Sequence, residues 1–178
     1  MSVYKLVFTG PVGAGKTSSI AAISDVPPVT TEETANEKIN KASTTVALDY
    51  GKMKLANGEL IHLYGTPGQA RFDFMWKILS EGSLGLVILI RNDNPDPIEE
   101  LHGIAKPFNH FFDTQSVVIG ITHMDRAQRP TLDDYRRAVI EYQFQPAIFE
   151  IDANRKEDVL ILVQALLYTM DPCLDQTA

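Results

Sequence analysis

Gly10-Pro11-Val12-Gly13-Ala14-Gly15-Lys16-Thr17 stands between a β-rich run, Val3 to Thr9, and a segment from Lys16 to Ser24 that reads as a helix with Ile20 and Ile23 on one face. Glycines at a strand-to-helix turn let backbone N–H groups point inward around an anion without Cβ clashes. The helix that follows aims its positive end at the same anion. A lysine beside the last glycine reaches outer phosphates, and the next hydroxyl suits Mg²⁺. That is the full P-loop pattern in its proper context; the plain alternative is a coincidental glycine-rich turn. Candidate phosphate-binding residues are Gly10, Val12, Gly13, Ala14, Gly15, Lys16, Thr17 and Ser18, with Thr17 also a metal ligand.

Outward from this loop, strand-like and helix-like segments alternate. Asp25 to Ser43 is polar and without sustained periodicity, and reads as a loop; loops this long in a compact domain are usually functional or disordered. Val46 to Leu55 and Leu60 to Tyr64 form a predicted hairpin, with Asn57-Gly58 supplying the positive φ values of a tight turn. Phe74 to Leu79 reads as a short helix. Leu84 to Ile90 and Val117 to Thr122 are continuous apolar runs, the look of parallel strands covered on both faces. Ile98, Leu101, Ala105, Phe108 and Phe112 fall at helical spacing, as do Leu132, Tyr135, Val139 and Tyr142. A last strand spans Ala147 to Ile151, and Val159, Leu162, Val163, Leu166 and Met170 mark a C-terminal helix. The expected fold class is α/β: a three-layer P-loop NTPase fold with a six-stranded, mostly parallel sheet, one antiparallel edge strand and helices on both faces. Ligands of such sheets bind outside the carboxyl ends of the strands.

The chain of 178 residues is read as one domain, 1–178. Lys and Arg number 16 against 23 Asp and Glu, a net charge of −7 that argues against nucleic acid or an anionic membrane as partner. The single cysteine, Cys173, excludes a disulfide framework and a zinc cluster built from this chain. No apolar run approaches the ~20 residues of a membrane span, and neither end carries a signal or lipidation pattern. The expectation is a cytoplasmic protein without a direct membrane anchor. His62, His102 and His110 are scattered at no metal-ligand spacing.

Leu63-Tyr64-Gly65-Thr66-Pro67-Gly68-Gln69-Ala70-Arg71-Phe72 resembles the Asp-Thr-Ala-Gly-Gln-Glu-Arg-Phe segment of Rab and related small GTPases. With the P-loop, Thr45 to Tyr50 and Thr122 to Asp125 in matching order, nearly the whole chain resembles the Ras-like superfamily. Within it, the nearest likeness is to bacterial small GTPases with Gly-Thr-Pro-Gly-Gln in this loop, relatives of the gliding-motility polarity switch.

The resemblance implies GTP and GDP as ligands, Mg²⁺ as cofactor, and two switch regions at about 25–45 and about 65–80. Gly68 is implied to donate its N–H to the γ-phosphate, and Gln69 to orient the attacking water. Thr45, chosen over Thr44 because Thr45-Val46-Ala47-Leu48-Asp49-Tyr50 aligns with the Rab sequence, is implied to ligate Mg²⁺ and read the γ-phosphate. Catalytic candidates are thus Gln69, Lys16 and Thr45. Arg71 is either solvated surface or an internal arginine finger. Phe72, Phe74 and Trp76 are either core or the place where partners sense the nucleotide.

Thr122-His123-Met124-Asp125 resembles the base-reading [Asn/Thr]-Lys-x-Asp motif. Asp125 would accept from guanine N1–H and N2–H₂, donors that adenine lacks, or else merely cap the loop. His123 replaces the lysine that packs on the base. Ala153, in Ile151-Asp152-Ala153-Asn154, is implied to bond guanine O6 through its N–H.

Two residues depart from the family pattern. Val12 stands where a small residue is common and would crowd a partner's arginine, so slow hydrolysis is expected. Gly65 stands where the family keeps its metal-linked aspartate, leaving Mg²⁺ to Thr17, phosphates, waters and an unidentified carboxylate. The implied activity is a slow GTPase switch whose partners are effectors and a GTPase-activating protein, of roadblock type in many relatives, in polarity or motility control. The sequence also admits a nucleotide-binding scaffold with little hydrolysis, or an ATP-using P-loop phosphotransferase, though no lid-like insertion is found.

Overall fold

A computed structural model describes residues 3–35, 44–68, 73–114, 116–142 and 144–170. Seven strands, β1 (Val3–Thr9), β2 (Val29–Ala35), β3 (Thr44–Lys54), β4 (Leu60–Gly65), β5 (Gly85–Arg91), β6 (Val117–Thr122) and β7 (Ala147–Glu150), form one sheet in the order β2-β3-β4-β1-β5-β6-β7. The helices are α1 (Lys16–Ile23), α2 (Asp73–Ser80), α3 (Pro97–Ala105), α4 (Asn109–Asp113), α5 (Leu132–Ala138) and α6 (Lys156–Met170).

The central strands form because they are apolar on both faces. β6 is buried at every position, and β5 at all but Arg91. Successive side chains of a strand point to opposite faces, so β1 and β5 each feed two cores. Leu6, Phe8 and Leu89 pack with Ile20, Leu162 and Leu166 from α1 and α6. Val7, Ile88 and Ile90 pack with Trp76, Leu101, Phe108 and Tyr135 on the other side. The layered α/β architecture expected from the sequence is the one adopted.

Three local readings change. The segment 25–43, read as a loop, contains β2, which pairs antiparallel with β3 from Val29↔Tyr50 to Ala35↔Thr44. Its composition, Val-Thr-Thr-Glu-Glu-Thr-Ala, has no clean alternation, and the strand exists through pairing with β3. The sheet therefore has seven strands rather than six. The antiparallel strand, β3, is one in from the edge and not the edge itself. The apolar helix read through Phe112 is broken into α3, a 3₁₀ turn at Lys106–Phe108 and α4, because Pro107 cannot donate to a continuing helix.

β1 sits where the topology divides, with β4 on one side and β5 on the other, both parallel to it. The loop leaving its carboxyl end thus opens at the switch point of the sheet, where ligands of such folds bind. Among the described residues, no helix is long and apolar enough to cross a membrane.

Candidate functional site

The loop from Gly10 to Thr17 is built by glycine. Gly15 caps the start of α1 with φ 97°, a left-handed conformation, and a Cβ there would lie 2.5 Å from the Cβ of Ala153. Only glycine combines that φ with that contact. The contact also joins the loop to the segment after β7. Thr122, at the end of β6, makes a second joint: its hydroxyl donates to the carbonyls of Ala14 and Ile90, both at 3.3 Å.

Lys16 is buried, at 8% exposure. Its Nζ donates to the carbonyls of Gly10 at 2.8 Å and Pro11 at 2.7 Å. Burial lowers its pKa to about 8, against the opposing pull of Asp49. An ammonium held this way is a cation waiting at the floor of the loop. Gly68 lies directly over it: a Cβ on Gly68 would be 2.7 Å from Val12 N and 2.9 Å from Lys16 Nζ. Gly68 is therefore packed on the Gly10–Thr17 loop. Val12 is 63% exposed at the rim.

Thr17 Oγ1 donates to Asp49 Oδ2 at 2.5 Å, and Asp49 is buried on β3. A hydroxyl and a carboxylate side by side, with the phosphate loop adjacent, form an all-oxygen donor set of the kind a hard cation takes. The residues present fit Mg²⁺. Sequence reasoning did not find Asp49. The signal available was the want of a carboxylate at Gly65, and Asp49 pairs with Gly65 across the β3–β4 ladder.

Thr45 is not brought to this corner. It pairs with Thr34 in the β2–β3 ladder, four residues along an extended strand from Asp49, or roughly 13 Å at strand rise. Its side chain, and Gln69, Ala70, Arg71, Phe72 and Cys173 entirely, lie outside the described residues. Trp76 belongs to the core: it is 7% exposed, stacks on Phe108, and donates its indole N–H to the Pro67 carbonyl at 3.0 Å. That bond ties α2 to Pro67, just after β4.

Next to the cradle a cleft of about 740 Å³ is lined by Gly13, Gly15, Ser18, Thr122, His123, Asp125 and Ala153, among others. This volume suits a small organic ligand. Asp125 is exposed within it, whereas Ala153 is buried at 6% exposure on its wall. His123 takes φ 59°, the left-handed region, and its Nδ1 lies 2.9 Å from Thr122 Oγ1. Asp152 accepts from the Asn154 backbone and side chain, which holds its carboxyl below the usual range. The loop carrying Ala153 is thus fixed by its own side chains.

A second cation beside the cradle also escaped the sequence reading. Arg91, at the end of β5, forms a two-pronged bond to Asp93, both arms at 2.8 Å, and holds the Asp93 carboxyl down at about 2. A Cβ on Gly13 would meet Arg91 Nη1 at 2.8 Å, so the guanidinium is packed against the cradle's outer wall.

The Gly10–Thr17 loop, the Thr122–Asp125 loop and Ala153 thus meet beyond the carboxyl ends of β1, β6 and β7. The G domain of the T. maritima FeoB iron transporter matches 94% of this chain and 99% of that domain with a TM-score of 0.67, at 15% sequence identity. The fold is that of a G domain. No protein-family model matches the sequence. Over 103 residues it is 33% identical to an uncharacterized protein of Methanocaldococcus jannaschii. That alignment covers 53% of this chain and 66% of the relative, so the match spans just under two thirds of its length.

Proposed function

We propose that this G-domain chain is a guanine-nucleotide switch that binds GTP with Mg²⁺ and hydrolyses it slowly. The observation that carries the reading is a cleft lined by Gly13, Gly15, Ser18, Thr122–Asp125 and Ala153, directly beside the loop that holds the Lys16 ammonium. Phosphates would lie on the amides of the loop, with Lys16 exchanging its two carbonyl partners for phosphate oxygens. The base would lie between His123 and the Ala153 wall, with Asp125 accepting from guanine N1–H and N2–H₂ and the Ala153 N–H donating to O6. Likeness to a G domain supports the choice of guanine.

Thr17 would hold Mg²⁺, which when bound supplies charge neutralisation of the phosphates. Gly68, already packed on the loop, would give its N–H to the γ-phosphate, and Gln69 would place the attacking water. Thr45 would have to leave its strand position to join them, which makes the β2–β3 hairpin the element that reports on the γ-phosphate. Order and disorder of such segments is a recurrent switching device. Effectors and a GTPase-activating partner, of roadblock type, would read that change in polarity or motility control.

The test is identification of the copurified nucleotide, followed by competition of GDP against ADP. A clear preference for GDP is expected, and equal affinity overturns the proposal. A second reading, a scaffold with little hydrolysis, is favoured by the branched, exposed Val12 at the rim. Single-turnover phosphate release from wild type and Gln69→Leu separates them: a switch loses most of its rate, and a scaffold shows no change.

A further inference from the structure

The acidic group missing from β4 is present on β3. Asp49 stands directly across from Gly65 in the antiparallel ladder. Residues so paired share a face, with Cβ atoms about 4.5–5.5 Å apart, so side chains from either strand reach the same volume. Here that volume is taken by Asp49. A Cβ on Gly65 would lie 3.0 Å from the Asp49 Cβ and 3.1 Å from its Oδ2. The same Oδ2 accepts the Thr17 hydroxyl at 2.5 Å, and the residue is 8% exposed.

Glycine at 65 and aspartate at 49 are therefore one arrangement, not two independent oddities. An aspartate at 65 beside Asp49 would bring two carboxylates into one site, where like charges oppose ionisation of both. A glycine at 65 makes the room that Asp49 fills. Mg²⁺ keeps several of its waters and is commonly held through one or two carboxylates plus phosphates.

We propose that Asp49 is the carboxylate that anchors Mg²⁺ beside Thr17, supplied by β3 in place of the β4 residue at position 65. This rests on the nucleotide-binding reading above. It predicts that the charge can be moved back: an acidic residue at 65 becomes functional once Asp49 is removed. A merely structural role for Asp49, or a role as counter-charge to Lys16, does not predict that exchange.

The experiment uses the full chain, fluorescent GDP and buffered Mg²⁺. GDP affinity is measured in excess EDTA and across a Mg²⁺ titration, for wild type, Asp49→Ala, the near-isosteric Asp49→Asn, and the double variant Asp49→Ala/Gly65→Asp. Loss of a group orienting the metal's ligands costs about 10–100-fold in metal affinity. Both single variants are expected to need at least that much more Mg²⁺ for the same GDP retention, beyond any loss seen in EDTA. The double variant is expected to recover most of it. An Asp49→Asn protein that melts like wild type and keeps its Mg²⁺ midpoint overturns the proposal. So does equal weakening with and without metal, or failure of a folded double variant to recover. Wild-type protein that holds no guanine nucleotide at any Mg²⁺ concentration overturns the nucleotide reading itself, and this proposal with it.

Discussion

The phosphate cradle and the base pocket meet at Gly15 and Ala153 but are made differently. The cradle is mainly backbone: glycines, and two carbonyls that hold one buried ammonium. The cleft proposed to hold the base is lined largely by side chains, among them Asp125, His123 and Thr122 at and just after the end of β6. A site made of main chain takes any ligand with phosphates and has no means of telling bases apart. A site made of side chains discriminates, and its chemistry can be rewritten one residue at a time.

The largest separation of the two comes from Lys16→Ala. Charge-assisted hydrogen bonds contribute about 1.5–3 kcal/mol each, so losing two phosphate contacts weakens GTP and ATP alike by roughly 10²–10⁴-fold. Calorimetric titration with both nucleotides checks it. Thermal stability near neutral pH should not fall in step, since the ammonium is held against the pull of burial.

Asp125→Asn should act on the other half alone. The amide keeps one acceptor but offers a donor where guanine also presents a donor. Preference for GDP over ADP drops by about 5–150-fold, the equivalent of leaving one polar group unpaired. Xanthosine diphosphate, which carries a carbonyl at that position, should gain affinity in the same competition assay. Loss of ADP and GDP binding together would erase the distinction between the regions.

The cradle should also show a pH dependence of its own, set by Lys16. Lys16 titrates at about 8 in the folded chain, whereas an unfolded lysine titrates near 10.4. Between those values the unfolded chain binds more protons, so stability of the ligand-free protein should rise with pH from about 8 to about 10. Phosphates favour the ammonium, so nucleotide binding at pH 8 should take up about half a proton and weaken above that pH. Calorimetry in buffers of different ionisation enthalpy reads this directly, and Lys16→Met should abolish it.

The smallest effect concerns His123, a non-glycine residue at φ 59°. Such a position costs about 1–2 kcal/mol. His123→Gly should raise the unfolding free energy by roughly that amount, read as a higher denaturant midpoint at unchanged slope, while weakening guanine and leaving inorganic pyrophosphate binding unaltered. A variant that is less stable would show that the Thr122–His123 contact outweighs the backbone strain.

The same contrast explains what the sequence revealed. β1, β5 and β6 were legible because burial on both faces demands unbroken apolar runs. The cradle was legible because a turn around an anion restricts residue type at fixed spacing. β2 was not, since Thr and Glu dominate it and its existence depends on β3. Pro107 was in view, but helical spacing on either side of it masked the break. Asp49 escaped because its meaning depends on register: a carboxylate 32 residues from Thr17 has no local signature, and only the rung it shares with Gly65 places it. Arg91 escaped likewise, as its link to Gly13 crosses strands. Thr45 was chosen by alignment alone, and the ladder it occupies pairs it with Thr34, away from Thr17 and Asp49.

Lys16 is bonded to two carbonyls of its own loop. To take that ammonium, an incoming anion must outcompete both. On the proposed reading a chain of phosphates is the better competitor, because it would bring several oxygens to the ammonium and the loop at once where a chloride or bicarbonate brings fewer. The two carbonyls would thereby act as a threshold, set by how many contacts an anion makes together rather than by its charge alone.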